Sequence, residues 1–214
     1  TLTVTNRDAK YEITVVANSG GEKYDGSEQS VSGLVTDTFT VNGETFKVEG
    51  LTAEAKATDA GTYPVNVTGT PVVKDAKNND VTAQFSVKTQ AGQLSIAKRD
   101  VTLTSATDSK QYDGKALTNS EVTVSGDGFV GEEGATYSVT GSQTIVGSSE
   151  NYFTYGLKPG TKAENYNIKT QNGTLTVTNR DAKYEITVVA NSGGEKYDGS
   201  EQSVSGLVTD TFTV

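Results

Sequence analysis

"TLTVTNRDAKYEITVV" fills residues 1–16 and stands again, letter for letter, at residues 174–189. The copy runs on: residues 174–214 reproduce residues 1–41 without a change, at an offset of 173. Self-similarity at a fixed period marks a repeat architecture, and missing it misassigns the whole fold. A second, diverged period lies inside the first. "EKYDGSE" places Tyr24-Asp25-Gly26, "KQYDGKA" places Tyr112-Asp113-Gly114, and Tyr197-Asp198-Gly199 repeats the first, at spacings of 88 and 85. "FSVKTQAGQLSIAKRD" (residues 85–100) aligns with "YNIKTQNGTLTVTNRD" (residues 166–181) at an offset of 81. Two sibling modules of 80 to 90 residues therefore alternate.

These landmarks set the expected boundaries. Residues 1–8 read as the last strand of a preceding module, 9–97 as module A, 98–178 as module B, and 179–214 as the first part of a further module A. With no initiating Met, the chain reads as an internal piece of a longer tandem array. Residues 182–214 hold too few strands to bury a core and are expected to be disordered. The joints "AKRDVTL" and "TNRDAKY" contain neither Pro nor a Gly/Ser linker, which favours a stiff rod over loosely strung beads. Separating identical copies by a diverged module also lowers the risk of strand exchange during folding.

Within the modules the pattern is β. "YEITVV", "VTLTSA", "LTVTN" and "LSIAK" are β-branched and largely alternate in face. "TFTVNGETFKV" (residues 38–48) is the sharpest local signal, because Asn42-Gly43 supplies the two positive φ angles of a type I′ hairpin. "QNGTLTV" and "QAGQLSI" predict further hairpins turning at Asn172-Gly173 and Ala91-Gly92. Residues 51–61 (LTAEAKATDAG) are the one helix-tolerant stretch, short and polar. The expected architecture is all-β: tandem small modules, sandwich-like or β-grasp-like, joined end to end into an elongated rod.

Composition removes several chemistries. The chain has no Cys, His, Trp or Met. Thiolate nucleophiles, imidazole bases and zinc sites of the usual ligand set are excluded, as are disulfides. Eighteen basic against 27 acidic residues give a net charge of −9, which repels phosphate backbones and anionic lipid. No stretch approaches the roughly 20 apolar residues of a membrane span. Neither nucleic-acid binding nor membrane insertion is expected.

Tyr-Asp-Gly followed by residues 141–181 (GSQTIVGSSENYFTYGLKPGTKAENYNIKTQNGTLTVTNRD) and closed by Arg-Asp resembles the YDG/MBG-type repeats of large bacterial cell-surface proteins. The resemblance covers essentially all of module B; module A matches at Tyr24-Asp25-Gly26 and "GQLSIAKRD", with "TDAGTYPVNVTG" (residues 58–69) replacing the middle. It implies a secreted, surface-attached, adhesin-like protein with many copies in an extracellular stalk and no enzymatic activity.

Candidate sites follow from residue type. In Tyr-Asp-Gly the first reading is structural: Tyr on the core edge, Asp bonded into its own turn, Gly at positive φ; a cation or glycan site at Asp25, Asp113 and Asp198 is the alternative. "KDAKNND" (residues 74–80) and "SGDGFVGEEG" (residues 125–134) lack the register of a calcium loop and read as solvated. Calcium at the joints through Asp8, Asp100 or Asp181 is the one cofactor considered. Tyr137, Tyr152, Phe153, Tyr155 and Tyr166 read mainly as core, with Tyr152 and Tyr155 as candidate glycan contacts for host mucin. Glu132-Glu133 with Asp127 is the densest carboxylate patch, in a module too small to enclose a sugar cleft. A Lys–Asn isopeptide cross-link would suit a cysteine-free rod, but its flanking motifs are absent. The expected partners are neighbouring modules.

Overall fold

The computed structural model describes residues 1–3, 5 and 8–213; the last strand expected over residues 1–8 includes positions 4, 6 and 7, outside the described residues. The protein is all-β, with two one-turn 3₁₀ segments, Thr82–Gln84 and Ala163–Asn165, as its only described helical turns.

Residues 11–96 contribute β1 (Tyr11–Val16), β2 (Gln29–Ser32), β3 (Thr38–Val41), β4 (Glu44–Ala57), β5 (Gly61–Val65), β6 (Val67–Lys74), β7 (Phe85–Gln90) and β8 (Gly92–Ile96). β1 runs parallel to β7, Tyr11 opposite Phe85 through Val16 opposite Gln90. The 14-residue β4 carries β2, β3 and β6 antiparallel, and β5 pairs antiparallel with β8. The helix-tolerant residues 51–57 are the second half of β4. Alternate residues Leu51, Ala53 and Ala55 turn inward, and tertiary burial overrides a weak propensity.

Residues 99–178 contribute β9 (Arg99–Ser105), β10 (Asp108–Gln111), β11 (Val122–Gly126), β12 (Ala135–Val139), β13 (Gly147–Asn151), β14 (Phe153–Leu157), β15 (Tyr166–Gln171) and β16 (Gly173–Thr178), repeating the scheme in part. β9 pairs with β15 in parallel and with β11 antiparallel. β10 runs parallel to β16, β13 antiparallel to β16, and β12 antiparallel to β14. The first strand of each unit is thus parallel to its penultimate strand, so neither unit is a purely antiparallel sandwich.

The Asn42-Gly43 hairpin forms as expected: the two residues have φ of 52° and 84°, and Val41 faces Glu44 across β3 and β4. The hairpins expected at Ala91-Gly92 and Asn172-Gly173 do not form. β7 pairs with β1 while β8 pairs with β5, and β15 pairs with β9 while β16 pairs with β10 and β13. At both places the chain steps from one sheet into another. The glycines serve close approach: a Cβ on Gly92 would lie 2.0 Å from the Asn18 carbonyl oxygen, and one on Gly173 2.3 Å from that of Ala106. Asn-Gly predicts a turn only where nothing crowds the glycine.

Three apolar clusters result. One, within the first unit, holds Ile13, Val15, Val48, Val73 and Phe85. One, within the second, holds Leu117, Leu175 and Val177, with Tyr112 against it. The largest crosses between the units and joins Ala17, Tyr24, Ala53, Val65, Leu94 and Ile96 to Val101, Leu103 and Tyr166. Residues 182–213 form no strand; an isolated bridge links Ala190 to Leu207, and their side chains are almost all exposed.

Candidate functional site at the inter-module joint

Only Ala97 and Lys98 separate β8 from β9, so the two units meet directly. The meeting place is built on Tyr24-Asp25-Gly26. The Tyr24 N–H donates to the Ala97 carbonyl at 2.8 Å, which fastens the motif to the end of β8. The Gln29 amide donates to the Lys23 carbonyl while its oxygen accepts from Glu22 N–H. Asp25 accepts the Ser27 N–H at 2.8 Å, and Gly26 has φ of 81°, a conformation that closes the turn at no steric cost to glycine. Held this way, the Tyr24 ring enters the second unit and is 4% exposed.

There it meets Tyr166, the first residue of β15, with ring centroids 5.7 Å apart and planes at 84°. Phe129 stacks edge-on against the same Tyr166 at 5.0 Å. Both hydroxyls converge on one carboxylate: Tyr24 donates to Glu133 Oε1 at 2.5 Å and Tyr166 donates to Oε2 at 2.6 Å. Tyr166 also accepts the Val130 N–H at 3.1 Å. Charge-assisted bonds of this kind are short and about twice as strong as neutral ones. Both phenols are pushed up to about 12, first by burial and then by the hydrogen bond to Glu133.

Two polar clamps flank this triad. On one side Lys23 Nζ lies 2.7 Å from Asp127, whose carboxylate also accepts the Asp100 N–H. Those bonds, Lys23 first, hold the Asp127 carboxyl below the usual carboxylate range. Arg99, the first residue of β9, donates to the carbonyls of Gly128, Asp127 and Tyr24. On the other side Asp59 accepts from Asn165 Nδ2 at 3.0 Å and from Lys162 Nζ at 2.6 Å, and these two, in that order, lower its pKa. Asn165, fully buried, returns its oxygen to the Ala60 N–H at 2.7 Å.

The other two copies of the motif keep the loop, and the copy at Tyr112 also keeps a strand-end bond and an arginine contact. Gly114 and Gly199 have φ of 80° and 84°, and Asp113 and Asp198 accept the Lys115 and Ser200 N–H groups. The Tyr112 N–H donates to Thr178, and its carbonyl accepts from Arg180 at 3.5 Å, as Tyr24 accepts from Arg99. Tyr112 is half-buried, whereas Tyr197 is 94% exposed.

The remaining candidates are dispersed. Tyr155 faces Tyr137 across β12 and β14, and Tyr137 packs on Phe153. Tyr152 lies one residue before β14 and Tyr155 lies within it, and both are exposed. Asp100 accepts from Asn167 and Asp181 from Gln111, while Asp8 is exposed. Among the described residues no three metal-ligating side chains stand together, and no helix is long and apolar enough to cross a membrane. Beside the joint a groove of about 560 Å³ is lined by Asp25, Ser27, Val130, Glu132, Glu133 and Lys158, among others.

Sequence reading singled out Tyr24 and Glu133 separately and missed Asp59, Lys162 and Asn165. The pairing of a residue near 60 with one near 165 leaves no local trace; the Arg that opens each joint, Arg99 and Arg180, was the available signal. No known protein family, curated protein or solved structure matches the chain.

Proposed function

We propose that these modules are structural stalk repeats of a bacterial cell-surface adhesin or extracellular filament, spacing a binding tip from the surface and catalysing no reaction. The observation that carries this reading is the joint. Two successive units share one apolar cluster, one tyrosine–carboxylate–tyrosine triad and two polar clamps across a two-residue connection. A joint of that kind resists bending, and stiffness is what a spacer requires. The likeness of Tyr24-Asp25-Gly26 and residues 141–181 to YDG/MBG-type surface repeats supports the extracellular assignment. Glu133 and Asp127, the strongest carboxylate candidates for chemistry, are committed to Tyr24, Tyr166 and Lys23.

Small-angle scattering tests this on the intact chain and on Tyr24→Ala. A stalk gives one fixed inter-module arrangement, which becomes a broad distribution in the variant. Indistinguishable broad profiles for both chains would refute the reading. The groove beside the joint favours a second reading, in which the repeats bind host mucin or glycan weakly and gain strength from copy number. Binding to immobilised mucin that climbs with module number would select it, and measuring with and without calcium would reveal any cation at the joints.

A further inference from the structure

In each module the stretch of chain that opens the fold and the stretch that closes it lie side by side in parallel, in one register. In the first, Tyr11 faces Phe85 at one end and Lys23 faces Ala97 at the other, 74 residues apart in both pairs. In the second, Arg99 faces Tyr166 and Gln111 faces Thr178, 67 apart in both. The chain changes sheet near Gly92 and Gly173, yet the ladder between the two stretches does not slip.

Hydroxyls carry the ladder over the step. Between the two halves of the first ladder the Gln93 N–H donates to Ser19 Oγ at 3.0 Å, and the Gly20 N–H then donates to the Gln93 carbonyl at 2.9 Å. In the second, the Gly173 N–H donates to Ser105 Oγ at 2.9 Å and the Thr174 N–H to Thr107 Oγ1 at 3.1 Å. The ladders end on Tyr24 and Tyr112, whose N–H groups donate to the Ala97 and Thr178 carbonyls. Side chains from both stretches form the core: Val15, Leu94, Leu103 and Leu175 are fully buried.

Parallel pairing fixes how these bonds meet a pull along the chain. The chain enters each module at the start of its first strand and leaves at the finish of its last. In a parallel pair those two points lie at opposite ends of the ladder, so tension slides one strand along the other and strains every rung together. In an antiparallel pair both points lie at one end, and the rungs open one at a time. We propose that each module is a shear-loaded clamp, a tension-bearing element in which residues 11–24 against 85–97, and 99–112 against 166–178, hold the fold closed when the chain is pulled. The source of the tension rests on the stalk reading; the clamp geometry does not. Ala97 and Lys98 pass the load from the last strand of one clamp to the first strand of the next. The buried side chains keep water from replacing the rungs as they stretch. Resistance to force is set by the unfolding rate, not by equilibrium stability alone.

The direction of pulling tests this in the full-length chain, which has no Cys of its own to compete for thiol-linked handles. Lys10, Ala83 and Lys98 are exposed. The double variant Lys10→Cys with Lys98→Cys is pulled along the length of the first ladder. Lys10→Cys with Ala83→Cys is pulled apart at its Tyr11–Phe85 end, at the same loading rate, by single-molecule force spectroscopy. The expected result is a rupture force several-fold higher for the first pair of handles than for the second. Equal forces, or a lower force along the ladder, would overturn the proposal. Each pair of handles spans one module, so the clamp is tested apart from the stiffness of the joint, which scattering reads.

Discussion

Replacing Glu133 with Ala is the sharpest test of the joint. The side chain accepts two hydroxyl bonds, at 2.5 and 2.6 Å, from tyrosines that are 4% and 3% exposed. Hydrogen bonds to a charged partner contribute about 1.5–3 kcal/mol each, and a buried donor left unpaired costs about 1–3 kcal/mol. Glu133 itself is half-buried, so water admitted by the truncation recovers part of the loss, and the expected destabilisation is about 2–4 kcal/mol. Glu133→Gln leaves an amide oxygen for one tyrosine and an NH₂ for the other, so roughly half of that loss, about 1–2 kcal/mol, is expected. Urea unfolding followed by tyrosine fluorescence measures both, since the chain has no Trp.

Alkaline titration gives an independent reading of the same contact. Tyr24 and Tyr166 ionise near 12 instead of 10.0. A folded-state pKa above the unfolded one means the folded chain holds its proton longer. The associated stability is complete below pH 10 and drains away as pH rises towards 12. At about 1.4 kcal/mol per pH unit the ceiling is roughly 3 kcal/mol per tyrosine, and less than twice that for two groups sharing one carboxylate. Glu133→Ala removes the carboxylate's part and leaves burial's, so both midpoints fall without reaching 10, and the alkaline loss becomes shallower. An unchanged alkaline profile, or a stability cost no larger than that of the exposed neighbour Glu132→Ala, would refute the reasoning.

Other positions discriminate between local and tertiary roles. Gly92→Ala and Gly173→Ala drive a Cβ to within 2.0 and 2.3 Å of backbone oxygens and should each destabilise by about 2–4 kcal/mol in thermal unfolding. Gly43→Ala meets nothing within 4 Å and should cost only the positive-φ strain, about 1–2 kcal/mol. Ser105→Ala removes a buried hydroxyl that donates to the Asn151 carbonyl and accepts the Gly173 N–H; a loss of about 2–3 kcal/mol is expected by urea titration. Asp127→Ala should loosen the joint more than Lys23→Ala, because Asp127 also accepts the Asp100 N–H; scattering profiles of the two variants would rank them.

The sequence by itself determined what rests on a few adjacent residues. The alternating β-branched runs became β1, β8, β9 and β16. Asn42-Gly43 made its hairpin, and all three Tyr-Asp-Gly loops closed alike, whether the tyrosine is buried at position 24 or bare at 197. Side-chain-to-backbone bonds two residues apart and a positive φ at glycine suffice for that. Tertiary structure decided the rest. Asn172-Gly173 carries the same two letters as Asn42-Gly43 and makes no hairpin, because the carbonyls of Ser105 and Ala106 crowd its glycine and the flanking strands belong to different sheets. Glu133 found two tyrosines 109 and 33 residues away, which no local pattern encodes. Residues 9–40 and their copy 182–213 make the division plainest: the first form β1, β2 and most of β3 where residues 44–96 supply partners, and the second only bridges and turns. A strand is stabilised by the chain it pairs with, whereas a turn is largely complete within itself.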